Sequence, residues 1–437
     1  MIETLNPLDR RTFMKRSAAV ALGGVVAASL PFGAYANESG TIRIGLIGCG
    51  GRGSRAALQA MATGKDVKLV AMADAFQDRM DESVKNIKAE LPDPSQFDVP
   101  KERQFVGFDA YKDVIAASDV VLLATPPGFR PIHLEAAVQA GKHVFMEKPV
   151  AVDPVGIRRV LDSIKLARQK NLSVVAGIQR RYSIMYAKET LPKIREGMIG
   201  DIVAAYAYWN IGFIREPKRL PGQTEMEYQM RAWYQFPWLS GDHIEDTHIH
   251  NLDIVNWVMD AYPAKARGMG GRSAPYEGSY GQLFDHNYVE YEYPNGVLLA
   301  SQSRQANGCW FRLGEYFVGT KGRLDVDLKK LTITDLKGNP MYSYKDRNDR
   351  DPQQLEHDLL FEAIRSGNPK NDAEFSAYST LTAIMGRMAA YTGKEITWEE
   401  ALNSDLDLSP KRYAWDAEPP VMPGPDGRYP IAIPGLV

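Results

Sequence analysis

The chain has 437 residues, 44% of them hydrophobic and 24% charged, with 52 basic residues against 54 acidic ones and two cysteines. That length exceeds what one core ordinarily supports, so two domains are expected. A near-neutral balance with no basic cluster interleaved with aromatics argues against nucleic acid as a partner, and two cysteines are too few for a disulfide framework.

The N-terminus reads as an export leader. Arg10-Arg11-Thr12-Phe13-Met14-Lys15-Arg16 is a twin-arginine pattern, followed by an apolar run over 18–30 and a small-residue cleavage site at Ala34-Tyr35-Ala36. The run is too short and too rich in Ala and Gly for a membrane span, which takes about 20 strongly apolar residues; an uncleaved anchor is the alternative. Residues 1–36 are assigned to a twin-arginine signal, with the export machinery as partner and the periplasm, or another exported location, as destination. Removing them takes four basic and two acidic residues and leaves a weakly acidic chain of 48 against 52. No other segment approaches a span.

Residues 42–47 read as a buried parallel strand ending on Gly48-Cys49-Gly50-Gly51-Arg52-Gly53, with a helical pattern over 54–63 and a second strand over 67–73 that ends at Asp74. Cys49 is expected to be hidden in the loop. A strand at 119–124 closes on Thr125-Pro126-Pro127. The helix 131–140 leads into strand 143–146, whose end carries Glu147-Lys148-Pro149. A helix over 153–170 and a strand over 173–178 complete a doubly wound parallel sheet spanning 41–178. From residue 202 the strands alternate by two, at 203–210, 287–293, 297–304 and 316–318, with turns at 294–296 and 319–322. Residues 179–417 are therefore expected to form a second domain built on an open, largely antiparallel sheet flanked by helices. A helix over 374–392 would pack back against the body. The tail, 418–437, holds six prolines and should be extended; its apolar end either clasps a neighbouring subunit or lies on its own domain.

The glycine loop has the chemistry of a dinucleotide site. Gly48 permits the tight turn, Gly50 lets backbone approach a pyrophosphate, and Gly53 lets helix pack on strand, with the phosphates at the helix N-terminus. Asp74, 21 residues beyond Gly53, stands where an acid hydrogen-bonds ribose hydroxyls. It would repel a 2′-phosphate, so NAD is favoured over NADP; an ordinary loop carboxylate is the alternative. Lys148 sits at a strand end, the edge where open α/β sheets bind ligands, and can place positive charge beside a hydroxyl losing its proton.

The segment 241–253 holds three of the seven histidines. If it is helical from Asp246, then Asp246, His250 and Asp253 fall on one face, and the imidazole is a natural base for a hydroxyl proton. His243, Asp246, His248 and His250 are all metal-ligand types, but their spacing is no zinc signature and no metal is assigned; His243 and His248 read as structural. Tyr206, Tyr208 and Asn210 share one face of a strand with Trp209 on the other. Arg231, Trp233, Tyr234 and Trp238 precede the histidine segment. These aromatics, with Arg180, Arg181 and Arg304, are candidates for holding a polyol.

Together the glycine loop, Glu147-Lys148-Pro149 and the D-x-x-x-H-x-x-D pattern at Asp246, His250 and Asp253 resemble the glucose-fructose oxidoreductase, inositol dehydrogenase and rhizopine catabolism family, Gfo/Idh/MocA. The resemblance implies a catalytic group of Lys148, Asp246 and His250, a second domain that supplies the sugar pocket, and a homo-oligomer. The cofactor-binding set is then Gly48, Gly50, Gly51, Arg52, Gly53, Asp74, Thr125, Pro126, Glu147, Lys148 and Pro149, and the substrate set Arg181, Tyr208, Trp233, Asp246 and His250. His250 stands where the exported glucose-fructose branch has tyrosine, and Asp74 conflicts with that branch's preference for a 2′-phosphate. The implied activity is NAD-dependent oxidation of a hydroxyl on a sugar, glycoside or cyclitol, with the nucleotide tightly held and recycled. A redox-assisted glycoside hydrolase or lyase is one alternative and a non-enzymatic carbohydrate-binding protein another.

Overall fold

The computed structural model describes residues 40–214, 217–273, 281–347 and 349–436; the leader assigned to 1–36 lies outside them. A six-stranded parallel sheet is laid down first. β1 (Ile42–Ile47), β2 (Val67–Asp74), β3 (Gln104–Val106), β4 (Val120–Leu123), β5 (His143–Glu147) and β6 (Val174–Gly177) stand in the order β3-β2-β1-β4-β5-β6. They alternate with α1 (Gly51–Met61), α2 (Gln77–Glu90), α3 (Tyr111–Ala117), α4 (Arg130–Gln139) and α5 (Pro154–Gln169). Helices cover both faces, so the central strands are apolar throughout: β4 is buried at every position. Asp153 caps α5 by accepting from Gly156 N at 2.7 Å.

The second sheet has nine strands. β7 (Ile202–Ile211), β8 (Lys265–Gly271), β9 (His286–Glu292), β10 (Leu298–Gln305), β11 (Arg312–Gly319), β12 (Gly322–Asp327), β13 (Lys330–Asp335), β14 (Pro340–Lys345) and β15 (Ile396–Thr397) stand in the order β14-β13-β12-β11-β7-β10-β9-β8-β15. Neighbours are antiparallel except β7 and β10, which run parallel. Three helices lie between β7 and β8 in the chain, α6 (Glu225–Arg231), α7 (His243–Asp246) and α8 (Ile249–Met259), the last of which packs on β7 and β11.

Two later helices draw the sheets together. α9 (Pro352–Ser366) returns to the first sheet, where Leu360, Phe361 and Ile364 join the core containing Ala56, Ala57 and Phe145. Residues 370–372 then finish the exposed edge of β6, with Val174 N donating to Lys370 O at 2.8 Å. α10 (Ala373–Thr392) packs on α5, α7, α8, β8 and β9, and its Leu381, Ile384 and Met385 are wholly buried. Beyond residue 403 the tail has neither helix nor strand. It lies on its own chain, Gly435 N donating to Thr392 O at 3.0 Å. Both cysteines are free, Cys49 buried and Cys309 exposed. Among the described residues no helix is long and apolar enough to cross a membrane.

Gly386 is the tightest point of α10: a Cβ there would stand 2.0 Å from the hydroxyl of Tyr291, a fully buried ring whose Oη donates to Thr382 O at 3.1 Å. Gly386→Ala is expected to cost about 1–3 kcal/mol through overpacking, seen as a lower urea midpoint at unchanged slope.

Candidate active site

A cavity of about 600 Å³ opens above the C-terminal ends of the parallel strands. At one end lies the glycine loop. Gly48 takes φ +100°, and a Cβ on it would come within 2.6 Å of the backbone of Ala124 and Thr125; one on Gly53 would lie 1.9 Å from Gly48 O. By contrast, Gly50 and Gly51 line the cavity with nothing within 4 Å of a Cβ position. The N-terminus of α1 has no side-chain cap and no acid in its first turn, so its backbone donors are left to a bound anion. Asp74 lies at the rim, accepting from Cys49 N at 2.7 Å and Phe76 N at 2.9 Å. Burial pushes its pKa upward against those two hydrogen bonds. An open glycine cradle, uncapped donors and a fixed rim carboxylate fit a dinucleotide. Thr125, Pro126, Glu147 and Lys148 line the same cavity.

Arg52 also lines it, but its guanidinium turns back to Glu147 and to Gln59 Oε1 at 2.7 Å, with Glu356 of α9 at 3.5 Å. Pro149 follows a cis bond and its carbonyl accepts from Arg130, outside the cavity lining.

At the other end the chemistry-bearing groups converge. The segment expected as one helix from Asp246 is broken: α7 stops at Asp246 and α8 begins at Ile249. The break leaves the carbonyl of Asp246 outside a helical ladder, and Lys148 Nζ donates to it at 2.5 Å, with Asp246 Oδ1 at 3.9 Å. His250, in the first turn of α8, faces the same space and stacks on Trp209 at 5.9 Å. Burial drives its pKa well below the usual imidazole value, and the charges of Lys148 and Arg180 lower it further. The ring is therefore neutral near pH 7, and its Nδ1 is buried without a partner.

Asp253 is not the third member of that face. Its carboxylate is fully buried and held by Arg181, with contacts of 2.9 to 3.2 Å, and by Ser379 Oγ at 2.7 Å. Arg181 is thereby removed from the substrate set, being consumed by an ion pair and lying over Phe375 at 3.9 Å. Tyr208 is removed as well. It points to the opposite face of the sheet from Trp209 and His250, among Tyr206, Trp310 and Arg312. Trp233 does line the cavity. Trp238 is buried and donates to Gln229, Arg180 is paired with Glu315 at 2.6 Å, and Arg304 donates to Trp310 O.

The remaining histidines have separate partners. His248 Nε2 meets Ser301 Oγ at 2.7 Å and burial lowers its pKa to about 3; His243 lies 3.1 Å from Asn287 Nδ2. Among the described residues no group of three or more His, Cys, Asp or Glu is placed to hold a metal ion.

Several cavity residues were not singled out from sequence. Gln179 follows β6 and could have been found by asking what stands at each strand end. Arg79 lies in the first turn of α2, five residues beyond Asp74. Arg130 is a buried guanidinium that donates to the carbonyls of Thr125, at 2.7 Å, and Pro149, its pKa lowered to about 10 by burial; nothing at its helix start marks it out.

Two family models match the chain. One, described as an oxidoreductase family NAD-binding Rossmann fold, covers residues 42–177, and the other, described as an oxidoreductase family C-terminal alpha/beta domain, covers residues 192–375. Among curated relatives, 2,7-anhydro-N-acetylneuraminate hydratase of Escherichia coli is 26% identical over 53% of this chain and 58% of its own. Inositol 2-dehydrogenase of Agrobacterium fabrum is 30% identical over 59% of this chain and 66% of its own. The matches thus span between half and two thirds of those relatives. The solved aldose-aldose oxidoreductase of Caulobacter crescentus shares the fold at a TM-score of 0.63 and 18% identity, over 82% of this chain and 99% of its own. Rossmann and C-terminal matches that together run from residue 42 to residue 375 make this chain a member of the Gfo/Idh/MocA family of oxidoreductases.

Proposed function

We propose that this chain is an exported, NAD-dependent oxidoreductase acting on a hydroxyl of a sugar, glycoside or cyclitol, and that it retains its nucleotide and restores it within each turnover. The observation that carries the reading is the approach of Lys148, Asp246 and His250 at one end of a cavity whose other end is the open glycine cradle. When bound, the nicotinamide supplies a two-electron acceptor for a carbinol carbon. The protein's part is proton and charge. His250, neutral and desolvated, takes the hydroxyl proton. Lys148, steered by the Asp246 carbonyl and carboxylate, donates to the same oxygen and stabilises the charge that develops on it. The cations that lower the imidazole pKa also favour release of that proton. Asp74 favours NAD because a 2′-phosphate would meet a carboxylate.

The twin-arginine leader supports export, and export supports recycling, since nucleotide lost outside the cytoplasm is not readily replaced. A hydratase among the relatives favours a second reading, in which oxidation is transient and the net reaction is addition or elimination at a sugar.

Protein purified after export is expected to release close to one NAD per chain on denaturation, and one of a panel of sugars, glycosides and inositols added anaerobically should raise the reduced-nicotinamide absorbance. Protein that neither carries nor binds NAD would overturn the proposal. Lys148→Met should lower kcat/KM by about 10²- to 10³-fold. Because Lys148 depresses the His250 pKa, the acid limb of the residual pH profile should move to higher pH. Asp74→Ala should weaken NAD binding about 10- to 100-fold, the range for a hydrogen bond to a charged group, while weakening NADP less, as titration of protein refolded without nucleotide would show.

A further inference from the structure

The tail from residue 404 lies beyond both regions matched by the family models, yet it is fastened to the body of the chain near both of its ends. Arg158 of α5 donates to the carbonyls of Leu402 and Ser404 at 2.7 Å each, and Leu408 N donates to Asp153 Oδ2 at 2.9 Å. Further on, Gln229 of α6 donates to Val421 O at 2.7 Å, and Tyr429 packs edge-on to Phe236 at 4.8 Å. Between these anchors the tail lines no part of the cavity itself but packs against residues of its rim. Trp415 lies 4.6 Å from Phe108 and 5.1 Å from Phe76, and Tyr413 lies 5.2 Å from Phe129. All three phenylalanines line the cavity, and Phe76 is two residues from Asp74. Phe76 is held by a second element too: Arg231 of α6 sits 4.0 Å over its ring and pairs with Asp78 at 3.0 and 3.2 Å.

We infer that the tail is a strap that retains the nucleotide, with Tyr413 and Trp415 pinning the rim at the ribose end of the cavity. The inference rests on the dinucleotide reading of that cavity. For the rim to open, Phe76, Phe108 and Phe129 must part from the tail, whose ends are tied to α5 on one side and α6 on the other. The strap therefore raises affinity for the nucleotide, by slowing its departure, rather than acting on the chemistry, and by linkage a bound nucleotide must hold the strap down.

The test uses the full chain loaded with NADH, chased with excess unlabelled nucleotide, and followed by loss of nicotinamide fluorescence. A Tyr413→Ala, Trp415→Ala double variant is expected to release NADH about tenfold faster or more, from the loss of the ring contacts to Phe76, Phe108 and Phe129, and Trp415→Phe to stay near the parent rate. Equal release from parent and double variant overturns the strap. The absolute parent rate reports separately on retention: fast release by the parent overturns retained nucleotide, while a still faster variant upholds the strap. If the double variant does not fold, trypsin cleavage of the parent chain at Lys411 and Arg412 gives the answer. NADH should slow that cleavage, and an unchanged rate overturns the inference.

Discussion

The geometry of the site hangs on one buried guanidinium. Arg387, 3% exposed in the middle of α10, donates to Val152 O at 2.7 Å and Gly241 O at 3.1 Å and lies 3.1 Å from Glu245 Oε1. Val152 is four residues from Lys148; Gly241 and Glu245 flank the approach to Asp246. A single side chain thus fixes the distance between the strand end that carries the lysine and the broken helix that carries the acid and the base. A planar fork with several donors suits this role in a way a lysine would not. The helix that bears Arg387 is held in register by the contact between Gly386 and Tyr291, so packing and site alignment are the same problem.

Around that tie, polar groups are buried in pairs that leave His250 without a carboxylate of its own. Arg180 is matched by Glu315, and Arg181 by Asp253. Trp209 covers one face of the imidazole. What remains near the ring is positive and dry, which keeps it unprotonated without any direct carboxylate partner. The second acid of the D-x-x-x-H-x-x-D pattern, Asp253, anchors α8 to Arg181 and Ser379 instead of entering the cavity. The conformation of that short helix start therefore depends on residues that never meet a ligand.

The parallel half was legible because its strands are continuous apolar runs and each ends on residues with recognisable chemistry: the glycines, Asp74, Thr125-Pro126 and Glu147-Lys148-Pro149. The second sheet was legible where hairpins close on Gly296 or on the 319–322 turn. β12 to β14, α2 and α9 lie outside the elements expected from sequence, although Asp351-Pro352 and Gly367 bracket the last of these with ordinary start and stop signals. The convergence of Lys148 with Asp246 and His250 follows the motifs. The fates of Arg181 and Tyr208 do not, since ion pairing with Asp253 and the choice of sheet face are settled by tertiary partners. The break between α7 and α8 was hidden for a similar reason: residues 247–248 carry no glycine or proline, and the turn is held by His243 O accepting from both Thr247 N and His248 N.

The return of α9 to the first sheet has a consequence for the order of events during synthesis. The parallel sheet is complete in sequence at Gly177, but one flank of its core, Leu360, Phe361 and Ile364, and the partner for the edge of β6 arrive only with residues 360–372. At ordinary elongation rates that interval is roughly 190 residues, or about 10–40 s. Through it the nascent nucleotide-binding half has an unfinished core and an open strand edge. The nucleotide site matures only near the end of translation, which ties cofactor loading to the finished chain and leaves a window in which chaperones or aggregation compete for the first half.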